Sequence, residues 1–246
     1  MKTTPCLRPV IQLAVSLAVL GMFQARASLL VNGGFESGFT SWTRVDQVGS
    51  EGSFELQTGT LSPLNGLPVP APPEGTTAAM TDAFGPGSHV LYQDFQVPSG
   101  LTLASLSFSL FVQNTADDYF APDHLDFATP DLNQQVRVDL LSSAADPFSV
   151  ASGDILLNLF QTLPGDPLTD GYRSYHFDIL ALLQAHEGQT LRLRFAEVDN
   201  VNIFNLGVDN VHLEAIPEPA GWAVCLAAGC LVAGIVRRRM AASSPR

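Results

Sequence analysis

The chain has 246 residues, 46% of them hydrophobic, and a formal net charge of −12 at pH 7. Twenty-three acidic residues fall between residues 28 and 216, against five arginines and no lysine, so that stretch carries a formal charge of −18. A surface of that sign repels nucleic acid and anionic lipid and favours divalent cations, which excludes a nucleic-acid partner.

At the start, Lys2 and Arg8 form a basic n-region, and residues 10–23 an apolar core too short for an ordinary span. Ala25-Arg26-Ala27 then forms an A-x-A cleavage site before Ser28. This reads as a secretory signal peptide over residues 1–27, a substrate of the Sec translocon and signal peptidase. Residues 28–216 then make one domain of sandwich or barrel size, long enough to bury a sizeable core. Cys6 lies in the signal peptide, and Cys225 and Cys230 lie in the apolar run near the end. The domain itself has no thiol, so it must be held by its core or by a bound metal ion rather than by disulfides.

Within the domain, period-two alternation marks strands, because every second side chain of a half-buried strand reaches one face. Residues 90–97 come first. Leu106, Phe108, Leu110 and Val112 then alternate with Ser107, Ser109 and Phe111, and Val136, Val138 and Leu140 alternate with Arg137 and Asp139. Residues 155–160 and 175–180 follow, then Leu191, Leu193 and Phe195 alternating with Arg192 and Arg194, and last residues 208–215. Turn formers such as Pro98-Ser99-Gly100, Pro164-Gly165-Asp166-Pro167 and Glu187-Gly188 separate them. Residues 61–77, rich in proline and glycine, and residues 114–134 read as long loops, and only residues 179–186 suit a short helix. Many short strands without a βαβ rhythm predict an all-β fold, a jelly-roll β-sandwich of two antiparallel sheets.

After the domain comes Pro217-Glu218-Pro219, an uncharged run over residues 220–236, then Arg237, Arg238 and Arg239. Seventeen residues make a helix of about 25 Å, at the short end of what crosses a hydrocarbon core. The arginines hold their end on the cytoplasmic side, which leaves the domain outside. This order of three features resembles the PEP-CTERM sorting signal of Gram-negative bacteria with exopolysaccharide-rich envelopes. The resemblance implies a membrane-anchored precursor, recognition of residues 217–246 by an exosortase, cleavage near the Pro-Glu-Pro, and delivery to the cell surface or extracellular matrix.

Two candidate sites stand out. Asn32-Gly33-Gly34-Phe35-Glu36-Ser37-Gly38, followed by Trp42, together with Gly207-Val208-Asp209-Asn210-Val211, resembles the two ends of galactose-binding-like jelly rolls, the fold of many carbohydrate-binding modules. The resemblance implies a structural calcium ion held by the Glu36 and Asp209 carboxylates, with backbone carbonyls near Asn32 and Gly34, and some affinity for polysaccharide. Independently, Asp209 shares the phase of Val211 and Leu213, so it is expected to point to their buried side, where a carboxylate needs a cation or an arginine. The second candidate is the oxygen-rich loop with Asp117, Asp118, Asp123, His124, Asp126 and Asp131, whose spacing matches no EF-hand. Within it, Tyr119 and Phe120 suit either sugar stacking or anchoring to the core.

No G-x-S-x-G, H-E-x-x-H or phosphate loop is present, and the five histidines are scattered without metal-ligand spacing. A non-catalytic surface or matrix protein is therefore expected. The alternative, a secreted glycan-active enzyme such as a glycoside hydrolase, requires two carboxylates at fixed separation across a cleft.

Overall fold

The computed structural model describes residues 27–82 and 84–218; the positions before Ala27 read as a signal peptide, together with Pro219, the 220–236 run and Arg237 to Arg239, lie outside the described residues. Eleven strands and one short helix follow in order: β1 (Ala27–Ser28), β2 (Thr43–Asp46), β3 (Ser53–Thr58), β4 (Thr77–Asp82), β5 (Gly87–Gln96), β6 (Leu101–Asn114), β7 (Gln134–Ser142), β8 (Ile155–Gln161), β9 (Thr169–Asp178), α1 (Leu180–Ala185), β10 (Thr190–Asp199) and β11 (Phe204–Pro217). Every expected strand is present. Among the described residues no helix is long and apolar enough to cross a membrane.

The strands form two antiparallel sheets. One has the order β3-β4-β11-β6-β9, with β1 also paired to β11, and the other has the order β2-β5-β10-β7-β8. Apart from β7 to β8, the chain changes sheet at each connection from β5 to β11, which is the winding of a jelly roll. Residues Ala27–Ala215 form one compact unit.

The core follows from the alternation. Leu106, Phe108 and Leu110 of β6 meet Val136, Val138 and Leu140 of β7 and Leu191, Leu193 and Phe195 of β10 in one buried cluster. Phe108 is the hub of its aromatic part, stacked on Tyr175 and Phe177 at 5.6 Å each and edge-on to Phe195 at 5.5 Å, and Phe195 in turn meets Trp42 at 6.0 Å. Trp42 donates its indole N–H to the Asn32 carbonyl at 3.0 Å, so this bulky ring is buried with its polar handle satisfied.

Strands β2, β3 and β4 were not expected. Only Val45 is apolar in β2, and in β3 Gln57 is buried while Leu56 is exposed, so hydrophobic alternation misreads both. The reason lies in the 61–77 loop, which covers the outer face of the first sheet. Gln57 donates to the Pro70 carbonyl and accepts from the Tyr172 hydroxyl, and Asn65 donates to Asn205. Val69 packs with Met80 and Phe111 beneath. The outer face of the second sheet is likewise covered, by Leu125 and Phe127 on one side and Phe148 and Val150 on the other.

Candidate functional site

The opening turn and the last strand lie side by side. Val211 donates its N–H to the Gly33 carbonyl at 3.0 Å, and a Cβ at Gly33 would stand 1.8 Å from the Val211 carbonyl oxygen, so only glycine admits this approach. Asn32 takes a positive φ of 57° and staples the turn by donating to the Gly38 and Thr40 carbonyls and accepting from the Ser37 N–H. Its own carbonyl already receives the Trp42 indole and the Phe35 N–H.

A strap, Glu74-Gly75-Thr76-Thr77, ties the two carboxylates together. The Glu74 N–H donates to Asp209 Oδ2 at 3.0 Å, whereas Thr76 and Thr77 donate their N–H groups to Glu36 Oε1 at 2.7 and 2.8 Å. Thr76 adds its hydroxyl to Glu36 Oε2 at 2.9 Å. These bonds favour the ionised form and hold exposed Glu36 below its ordinary pKa. Asp209 is the opposite case: burial pushes it up to about 6, and the nearby Glu74 and Glu36 charges add to that, against the bonds from Glu74 and Asn210. His212 Nε2 approaches Glu74 Oε2 at 3.5 Å.

The expected phase of Asp209 needs correction. Phe204, Leu206 and Val208 all join the core, as do Val211 and Leu213, so the alternation slips by one around Asn210, which has a φ of 53°. Asp209 is fully buried, but beneath the strap. Glu74, the third carboxylate of the group, was missed because it sits in a loop that has no periodicity to place it. Glu36, Glu74 and Asp209 thus gather around one strap, while the Asn32 carbonyl is already taken by the Trp42 and Phe35 N–H groups.

The acidic loop does not converge. Asp118 accepts from the N–H groups of Tyr119 and Gly165, Asp126 accepts from the Gln47 side chain and the Ala128 N–H, and His124 approaches Asp131 at 3.4 Å. Asp117 and Asp123 are exposed. Tyr119 anchors the loop, with its ring in the core and its hydroxyl on the Pro167 carbonyl at 2.9 Å, and half-buried Phe120 exchanges backbone bonds with Gln134.

Two features were not foreseen. The first is a partly open cleft of about 150 Å³ where the edges of the two sheets meet, lined by Phe160, Thr162, Asp166, Asp170, Arg173 and Tyr175. Tyr175 stacks on Phe108 at 5.6 Å and meets Phe160 edge-on at 5.2 Å, so its ring is fixed at the cleft wall. Both acids are engaged: Asp170 pairs with Arg173, and Asp166 accepts the Leu163 N–H. The second is a buried group, His89, Glu197 and Asp199, gathered from strands far apart in sequence. Burial pushes the Asp199 carboxyl well above the ordinary range, with the Glu51 charge adding to it.

No protein-family model matches the chain, and no curated protein sequence matches it. Solved structures do resemble it. A carbohydrate-binding module, TmCBM61, in complex with β-1,4-galactotriose is 12% identical, with a TM-score of 0.45 over 78% of this chain and 99% of its own. The K3 cleaved adhesin domain of Lys-gingipain from Porphyromonas gingivalis is 15% identical, with a TM-score of 0.46 over 77% and 99%. The family 11 carbohydrate-binding module from Clostridium thermocellum is 11% identical, with a TM-score of 0.39 over 79% and 98%. At these identities and scores no property of those proteins transfers to this chain.

Proposed function

We propose that this protein is an exported, non-catalytic component of the cell surface or extracellular matrix, sorted and processed by an exosortase, with weak affinity for polysaccharide. The observation that carries the reading is the order Pro217-Glu218-Pro219, uncharged run, Arg237-Arg238-Arg239, which resembles the PEP-CTERM signal. The strongly acidic domain agrees with it, since such a surface stays soluble outside the cell and avoids anionic lipid. For polysaccharide the edge cleft supplies the chemistry: the fixed Tyr175 and Phe160 rings offer an apolar wall, and Arg173 and Thr162 offer polar groups beside it. The engagement of Asp166 and Asp170 by local partners favours binding over hydrolysis. A calcium ion between Glu36 and Asp209 belongs to the same proposal, as a staple between the first turn and the last strand.

Mass spectrometry of protein recovered outside the cell tests the sorting. The secreted form is expected to lack everything beyond about Pro219, and peptides from residues 224–238 in that form would overturn it. A glycan array tests the affinity: Tyr175→Ala is expected to abolish any signal, with no turnover of the bound glycan by the wild type.

A further inference from the structure

The buried histidine is paired across the second sheet. In the antiparallel register of β5 and β10, His89 stands opposite Glu197, and Gly87 opposite Asp199. On the same face, Leu91 and Phe195 continue into the core, so the three side chains occupy the interior at one end of the sandwich. All three residues are at least 98% buried, and one ligand atom from each lies within 4.8 Å of the others.

The posture of the imidazole is informative. Its Nδ1 lies 2.7 Å from Asp46 Oδ1 on the neighbouring strand β2. A carboxylate accepts only, so Nδ1 carries a proton that it donates to Asp46, and Nε2 is the nitrogen left to meet a metal ion. Nε2 is completely buried and has no hydrogen-bond partner. The ring can take this position only because residue 87 is glycine: a Cβ there would stand 2.3 Å from Nε2. An outer carboxylate that fixes the tautomer of a ring whose other nitrogen faces two buried carboxylates is the arrangement that orients a metal-ligating histidine.

The donor set points to a class of metal. Beside the His89 imidazole, Glu197 and Asp199 bring two carboxylates to the same buried spot, and Asp199 is held there by the Gly87 N–H at 2.9 Å. An imidazole nitrogen in the set selects a borderline metal over calcium, which takes oxygen alone.

We propose that His89 Nε2, Glu197 and Asp199 form a binding site for a divalent first-row transition-metal ion of the Zn²⁺ class, with Asp46 as the outer carboxylate that orients His89. The ion joins β5 to β10 in a domain that has no disulfide. The site is separate from the strap at Asp209 and does not depend on the calcium reading.

The test uses the full chain, purified in mild detergent, stripped with a chelator and titrated with Zn²⁺ at neutral pH. One equivalent is expected to bind with a rise in melting temperature, and Co²⁺ in its place is expected to give visible ligand-field bands. His89→Ala and Gly87→Ala are expected to abolish uptake. Asp46→Asn, at a partly exposed position that leaves the interior intact, is expected to weaken affinity about 10- to 100-fold. Asp209→Ala is expected to leave Zn²⁺ uptake unchanged. Failure of wild-type protein to take up Zn²⁺, or uptake that folded Asp46→Asn and Gly87→Ala proteins retain in full, overturns the site.

Discussion

Asp126 shows how one carboxylate helps to organise the acidic loop. The Gln47 amide and the Ala128 N–H both donate to its Oδ1, and those bonds hold its pKa below the usual 3.8. A carboxyl lowered in the folded state stabilises it above its unfolded pKa, and that contribution is lost as pH falls through the lowered folded value. The 114–134 loop should therefore keep its amide protection down to about pH 4 and lose it below. By carboxyl-resolved NMR, Asp126 is expected to titrate below 3.8, and Gln47→Ala to bring it back toward that value. An unchanged titration in the variant would show that the Gln47 bond is not what lowers it.

At the scale of elements, β10 both builds the core and fastens a loop. Its odd-numbered residues Leu191, Leu193 and Phe195 face inward, whereas Arg192 and Arg194 face the other side. Arg194 is fully buried and donates to Asp139 at 2.5 Å and to the Pro147 and Ser149 carbonyls at 2.7 Å each. Arg192 grips both Asp94 oxygens and the Ser143 and Ala145 carbonyls, and lies over the Tyr92 ring at 3.9 Å. These arginines therefore hold down the segment between β7 and β8. Arg194→Met strands the Asp139 carboxylate with one arginine fewer and frees two carbonyls. It should cost about 3 kcal/mol, since the buried Asp139 keeps only Arg137 as its cation and two buried carbonyls lose their donor. That corresponds to a fall of roughly 6 to 12 °C in melting temperature for a domain of this size. A fall under about 2 °C by calorimetry would mean that the loop is held by Phe148 and Val150 packing instead.

For the molecule as a whole, the proposed calcium staple is tested by melting. An ion that binds only the folded state stabilises it by about 2.7 kcal/mol at a hundredfold excess over Kd. Chelation should then lower the melting temperature by several degrees, and Asp209→Ala should lower it too and abolish the response to calcium. Equal melting in chelator and in millimolar calcium would leave the strap 74–77 as the sole tie between Glu36 and Asp209. Because Glu36 and Asp209 already accept N–H groups from that strap, the experiment separates a metal staple from a purely hydrogen-bonded one.

Periodicity was legible in the sequence because it is local. Alternation in residues 106–112, 136–140 and 191–195 revealed the core faces, because a pleated strand sends alternate side chains to opposite sides whatever its partners. The position of Asp209 could not be read, because the slip at Asn210 is set by how β11 meets the opening turn. Nor could the ladder of Asp46, His89 and Glu197, which spans some 150 residues of chain and exists only because antiparallel pairing sets β2, β5 and β10 in register. Spacing along the chain does not encode that register. It is decided when the apolar faces of the two sheets find each other, and the polar residues on those strands are carried into place by that choice.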